Sequence, residues 1–219
     1  MISAGYGCRP AHHLKEHELR YCASPLDWMG YTLETAVHLY KTKFRDFFVE
    51  FAEEKDNSLK YNCRWFVDTK NDILSMHYHD IDNSSSFRKK MQRRFAKINR
   101  ILRAAKEIAF VSRRNEDITA FENFLLEMSK LYSGNITYIN IRHNENRETI
   151  NRSEKIITNK LKIIEHEFYD IHPDGEDETN PQFWIGNQKL WDSVFKNISI
   201  RRRYNFLTHL LHINERKYP

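Results

Sequence analysis

Cys8 has the clearest chemical potential in the sequence, because it follows a glycine-flanked turn and precedes an amphipathic segment. A short apolar run, the turn at Gly5 and Gly7, and residues 11–19 predict a strand, a tight turn and a helix, with Cys8 at or near the helix N-terminus. The N–H groups and positive end of a helix stabilise a thiolate and an oxyanion formed beside it. Cys8 is thus a candidate nucleophile; the alternative is a small buried apolar residue.

The segment His77-Tyr78-His79-Asp80 supplies the partners that a thiol nucleophile needs. Residues 72–79 are predicted to form a strand, on which His77 and His79 share one face. An imidazole beside Cys8 accepts the thiol proton or pairs with the thiolate, and a carboxylate orients the imidazole. The residues leave open which histidine faces Cys8, and whether Asp80 or Asp27 orients it.

The same two histidines also have the spacing of metal ligands. With Cys8 or Cys63, the His77/His79 pair could complete a zinc site, so a zinc-dependent enzyme is an alternative. Neither Cys-x-x-Cys nor His-Glu-x-x-His accompanies the pair. The sequence therefore predicts no metal and no cofactor.

The composition indicates one folded domain over residues 1–219. Hydrophobic residues make up 40% of the chain, enough for a core, and the net charge of +5 is too mild to indicate nucleic acid by itself. Three cysteines do not suit a secreted disulfide framework. Because no signal-peptide pattern and no long apolar run are present, we expect a cytoplasmic protein without a transmembrane segment. The oligomeric state is left open.

Strand and helix patterns alternate through the middle and C-terminal parts of the chain, which predicts an α/β fold: a mostly parallel central sheet with helices on both faces, in three layers. The predicted elements are a helix over 33–51, an exposed loop over 50–58, hairpin strands over 64–67 and 72–79, a helix over 87–106, a strand over 108–112, a helix over 117–132, a strand over 136–141, a polar loop over 144–154, a strand over 160–168, and helices over 187–195 and 201–212.

The helix predicted over 87–106 has a narrow apolar stripe, and its other faces carry only basic charges. Such a helix suits nucleic acid or an anionic surface, which gives a second functional hypothesis, a non-catalytic binding protein. A solvated basic face explains the same pattern, and no nucleic-acid-binding motif accompanies it. Nucleic acid is therefore not the expected partner.

The Cys8 turn, the segment Pro25-Leu-Asp-Trp28 and the pair His79-Asp80 resemble an uncharacterised bacterial family described as "putative papain-like cysteine peptidases". Residues 108–112 and the Trp191 segment are similar too, so the resemblance covers most of the chain.

This resemblance implies that Cys8 is the nucleophile and His79 the base, with Asp80 and Asp27 at the acidic positions of two motifs. It also implies an α+β papain-like fold as the alternative to α/β. The chain departs from the family pattern at three positions, which are Ala4, Leu26 and His77.

We therefore expect a cysteine peptidase, or a related thiol-dependent hydrolase or acyltransferase, that acts through a thioester at Cys8. Its partner would be a peptide or another acyl or amide substrate.

Overall fold

The computed structural model describes residues 1–60, 64–175, 180–196 and 198, with the side chains of residues 57, 59, 60 and 79 outside that description. Cys63 and the helix predicted over 201–212 lie outside the described residues. The elements in chain order are β1 Ile2–Ser3, α1 Arg9–Glu16, β2 Met29–Gly30, α2 Leu33–Thr42, β3 Phe51–Glu53, α3 Lys55–Lys60, β4 Phe66–Asp68, β5 Ile73–Ser75, α4 Ser84–Ala104, β6 Glu107–Arg113, α5 Ile118–Leu131, β7 Asn135–His143, β8 Asn151–Thr158, β9 Leu161–Phe168 and α6 Gln188–Phe195.

The main sheet has five strands in the order β1-β6-β7-β9-β8. The pairs β1–β6, β6–β7 and β7–β9 are parallel, and only β8 runs antiparallel, along β9. Parallel strands need both faces covered, because their side chains are apolar on both sides. The carboxyl ends of β1, β6, β7 and β9 consequently lie at one edge, where ligand sites of such sheets are found.

Alternate residues of the strands enter two separate cores, one on each face of the sheet. Phe110, Ile136 and Tyr138 belong to the larger core, which also contains buried residues of α2, α4 and α5. Val111 and Ile139 belong to the smaller core, which contains residues of α1 and α6. Helices thus cover both faces, and the predicted three-layer α/β fold is confirmed in place of the α+β alternative.

A second, antiparallel sheet in the order β2-β5-β4-β3 lies outside the predicted architecture. The predicted hairpin is present as β4 and β5, which pair Phe66 with Ser75. Strand β2, which begins directly after Trp28, pairs with β5. The small sheet therefore joins the segment around Trp28 to the segment that precedes His77.

Three predicted elements differ from the structure. The helix over 33–51 ends at Thr42, because Lys43 and Phe44 adopt left-handed backbone angles with φ of 56°. The loop over 144–154 contains the start of β8, whose residues are mostly exposed on the edge of the sheet. An edge strand with a charged surface has no apolar alternation to reveal it. The exposed loop over 50–58 is likewise wrong, since β3 and α3 occupy it.

Among the described residues, no helix is both long and apolar enough to cross a membrane.

His13, on the inner face of α1, is expected to make the fold sensitive to acid. Its ring is buried, stacks on Trp191 at 4.2 Å and donates a hydrogen bond to the Ile185 carbonyl, while burial lowers its pKa to about 4. A histidine whose folded pKa lies below its unfolded value stabilises the fold fully at neutral pH and loses that contribution as the pH falls from about 6.5 towards 4. From pH 7 to pH 5 the loss is about 2 kcal/mol.

Urea unfolding at both pH values measures this effect. In His13→Phe, which retains an aromatic ring against Trp191, we expect the fall between pH 7 and pH 5 to shrink by about 2 kcal/mol. The exposed His38 provides a control, since His38→Gln should leave the fall unchanged. An equal fall in the wild type and in His13→Phe would contradict the assignment.

Candidate active site

Cys8 caps the N-terminus of α1 at the end of a tightly held turn. Gly5 has φ of 67°, and a Cβ at this position would lie 2.9 Å from the Tyr31 ring. Gly7 has φ of 80° and donates its N–H to the Met29 carbonyl at 3.1 Å. Only glycine adopts such angles at low cost, so the sequence of the turn fixes where the thiol lies. The predicted position of Cys8 at the helix N-terminus is confirmed.

The buried guanidinium of Arg114 stabilises the turn that precedes Cys8. Arg114 donates to the carbonyls of Ala4 and Tyr31, at 3.1 Å and 2.7 Å from Nη2. The Arg114 guanidinium also lies over the rings of Tyr6 and Tyr31, with its carbon 5.8 Å and 5.2 Å from their centroids. Arg114 follows β6, so it joins the Cys8 turn to the carboxyl end of that strand. No sequence motif marks this residue.

The Cys8 sulfur lies 2.7 Å from Nε2 of His77. This is hydrogen-bond distance, whether the thiol donates to a neutral imidazole or an imidazolium donates to a thiolate. The prediction that residues 72–79 form one strand is wrong, because β5 ends at Ser75. A turn of 3₁₀ helix then runs over His79–Asp82. The chain therefore leaves the sheet before His77, and the shared strand face of His77 and His79 does not exist.

The other predicted site residues have different surroundings. The side chain of His79 lies outside the described part of the chain. Asp80 is exposed and forms an ion pair with Lys90. Asp27 is buried, and its Oδ2 accepts hydrogen bonds from Arg20 at 2.9 Å and from the Ser24 N–H at 2.8 Å.

The buried position of the Asp27 carboxyl affects both its pKa and its hydrogen bonds. Burial raises its pKa, and the nearby Arg20 guanidinium opposes that rise. Its Oδ1 is buried and has no hydrogen-bond partner among the described residues. The described donors to Oδ2 are Arg20 and the Ser24 N–H, and neither is a histidine. Asp27 thus organises the segment that leads to Trp28, and an orienting role towards a histidine stays a prediction.

The indole rings of Trp28 and Trp184 lie near His77. The Trp28 ring meets the His77 ring edge to face at 5.6 Å and the Trp184 ring at 6.1 Å. Trp184 also contacts His12, one helical turn after Cys8, at 4.9 Å. Trp28 has φ of 69°, a left-handed conformation that is strained for a bulky residue. Such strain is concentrated at functional sites, where the surrounding structure enforces it.

These rings border a cavity of about 440 Å³ that opens next to His77. Its lining residues are Arg20, Ala23, Asp27, Trp28, His77, Tyr78, Arg94 and Trp184. Its volume lies in the range of small-ligand sites, and its wall combines aromatic side chains with charged ones.

Asp170 is a second anchor of the site that the sequence did not reveal. This carboxylate is fully buried two residues beyond β9, where its Oδ2 accepts from Arg9 at 2.9 Å and from Arg113 at 3.0 Å. Its Oδ1 accepts from the indole of Trp191 at 2.8 Å. Arg9 is the first residue of α1, and the Arg113 N–H donates to the Gly5 carbonyl at 3.1 Å. Asp170 thereby connects both sides of the Cys8 turn to the C-terminal part of the chain.

The basic helix predicted over 87–106 is present as α4, which both begins and ends slightly earlier, over Ser84–Ala104. Its apolar stripe is buried, and cations such as Arg93 and Arg100 are exposed. A shallow cleft of about 580 Å³ lies along it, with Lys43, Arg100 and Arg103 among its lining residues. Binding of nucleic acid or an anionic surface stays a prediction. Among the described residues, no group of three possible metal ligands clusters.

These elements define an α/β protein with a cysteine–histidine pair at the N-terminus of its first helix. The family model described as "Putative papain-like cysteine peptidase (DUF1796)" matches residues 1–143, from β1 to the end of β7, and the chain belongs to this family. No curated protein and no solved structure matches the chain. Asp170, Trp184 and α6 lie beyond the matched residues.

Proposed function

We propose that the chain is a thiol-dependent peptidase or a close acyl-transfer relative, with Cys8 as nucleophile and His77 as base. The observation that carries the proposal is the 2.7 Å separation of the Cys8 sulfur and His77 Nε2 at a helix N-terminus. The family description agrees with this chemistry. The base differs from the one that the family resemblance implies, His79, whose side chain is not described.

The proposed reaction has two stages. The Cys8 sulfur attacks the substrate carbonyl carbon while its proton passes to His77 Nε2, and the oxyanion accepts hydrogen bonds from N–H groups of the first turn of α1. The bond to the leaving group then breaks, the leaving amine takes the proton from His77, and a thioester remains. In the second stage, water or another acceptor attacks the thioester carbonyl and gives its proton to His77. The carbon–sulfur bond then breaks, the acid or the transferred acyl product leaves, and the Cys8 sulfur takes the proton back from His77.

Acylation by 4-nitrophenyl acetate tests the thioester step. We expect a burst of nitrophenolate equal to the enzyme concentration, with one acetyl group on the peptide that carries Cys8 in rapid-quench mass spectrometry. Cys8→Ser should abolish the burst and the thioester, whereas Cys22→Ser, at the other described cysteine outside a disulfide, should leave both intact. Acetylation of Cys22 as fast as Cys8 would count against a specific nucleophile.

Hydrolysis of peptide bonds is tested separately with a mixed peptide library. Cleavage products that form with the wild type and are absent with Cys8→Ser support a peptidase. Acylation without any cleavage, but with transfer to added amines, favours the acyl-transfer relative. Both reactions share every step up to the thioester.

A further inference from the structure

The cavity beside His77 has an excess of positive charge. Arg20 and Arg94 line it, and among the described residues of its wall Asp27 is the only carboxylate. Oδ2 of Asp27 is bonded to Arg20, and the charge of Arg94 also acts to lower the pKa of Asp27, so one carboxylate faces two guanidiniums in this wall.

Arg94 is held in place but retains donors for a ligand. Its Nη1 donates to the Tyr78 hydroxyl at 2.8 Å and contacts the Met91 sulfur at 3.9 Å. The bonds described for Arg94 both leave from Nη1, so Nε and Nη2 remain for another acceptor. No ion pair of Arg94 with a carboxylate is present among the described residues. A half-buried guanidinium with a fixed orientation and two neighbouring donors suits a carboxylate, which accepts them in parallel.

We propose that this cavity binds a carboxylate of the acyl substrate through Arg94, with Trp28 and Trp184 enclosing the chain between that carboxylate and the scissile carbonyl. The inference rests on the proposed function, because the cavity shares His77 with the nucleophile. The substrate class is an amide or peptide that carries a carboxylate a few bonds from the carbonyl that Cys8 attacks. A C-terminal carboxylate and an acidic side chain present the same chemistry.

Protection of Cys8 from iodoacetamide tests the binding without any acyl transfer. Glutarate should slow the alkylation of the Cys8 peptide in a saturable manner, and glutaramide should require about tenfold higher concentration for the same effect. N-acetyl-Ala-Ala acid, its C-terminal amide, and N-acetyl-Ala-Glu amide identify the source of the carboxylate. Equal protection by every neutral and acidic member of the panel would overturn the proposal.

Acylation rates then test the same site during the reaction. The 4-nitrophenyl monoester of glutarate, with its free carboxylate, should acylate Cys8 about tenfold faster than the matching ester of glutaramic acid. Acylation at Cys8 with a rate ratio near one overturns the carboxylate site and leaves the proposed function standing. Saturable glutarate protection without any acylation has the opposite meaning: it supports the site and removes the proposed function.

Substitutions at Arg94 assign the effect to this residue. Arg94→Gln should bring two ratios close to one: the glutaramide concentration relative to the glutarate concentration that gives equal protection, and the acylation rate of the glutarate ester relative to that of the glutaramic acid ester. Arg94→Lys keeps the charge but loses the paired donors, so it should retain part of both preferences. Arg100→Gln, an exposed position on the same helix, should leave the ratios unchanged. If Arg94→Gln does not fold, Arg94→Lys and the wild-type protection panel still decide the question. Unchanged ratios in both Arg94 variants would reject the assignment.

Discussion

Replacement of His77 by alanine is expected to slow the alkylation of Cys8 by iodoacetamide at pH 6 by about tenfold or more. The thiolate is the reacting species, and an imidazolium 2.7 Å from the sulfur stabilises the thiolate relative to the thiol. Below the thiol pKa, each unit by which the pair lowers that pKa raises the thiolate fraction about tenfold. The measurement is the alkylation rate of the Cys8 peptide between pH 5 and pH 9.

The matched control is His79→Ala, the same substitution two residues along the chain. We expect its profile to follow that of the wild type, while the His77→Ala profile moves towards that of an ordinary thiol. The reverse result, a large effect at His79 and none at His77, would return the base to the residue that the family resemblance implies. Circular dichroism of each variant confirms that the fold is retained.

Replacement of Asp170 by asparagine is expected to lower the free energy of unfolding by about 3–5 kcal/mol. Removal of one partner of a buried ion pair is strongly destabilising because the other charge stays buried without compensation. Asp170 is fully buried, and two guanidiniums, those of Arg9 and Arg113, depend on it. Urea denaturation at pH 7 gives the value directly.

A carboxylate on the surface of α6 provides the control for this measurement. Asp192 is half exposed and pairs with His17, so Asp192→Asn should cost less than about 1 kcal/mol, as exposed pairs generally do. If Asp170→Asn lowers the free energy of unfolding by less than about 1 kcal/mol, Asp170 does not anchor the turn. Since Arg9 follows Cys8 directly, we also expect the folded fraction of Asp170→Asn to show slower alkylation of Cys8.

The sequence was informative where local chemistry decides the structure. The turn before Cys8 needs glycine at two positions, and α1 begins at once after it, so the place of Cys8 at a helix N-terminus could be predicted from its neighbours alone. The alternation of strand and helix likewise predicted the parallel sheet. These signals act over fewer than about ten residues, which is the range over which backbone preference and periodicity operate.

The rest of the site depends on contacts between distant segments. Arg114 and Asp170 are buried charges, and nothing in their local sequence distinguishes them from surface residues. Their partners, Ala4 and Arg9, lie 110 and 161 positions away along the chain. The contact of His77 with Cys8 depends on where β5 ends, because His77 lies beyond the strand and the strand alternation that the sequence predicted does not extend to it.

The distance in sequence between Arg9 and Asp170 has a consequence for biosynthesis. Ribosomes add about 5–20 residues per second, so Asp170 is made roughly 10–30 s after the helix that it anchors. During that interval α1, which has eight residues, is too short to persist by itself in water. The start of α1, next to Cys8, therefore gains its buried ion pair with Asp170 only after most of the chain has been made. If Cys8 is the nucleophile that we propose, a nascent chain that ends before Asp170 should show a less reactive Cys8 thiol than the folded protein.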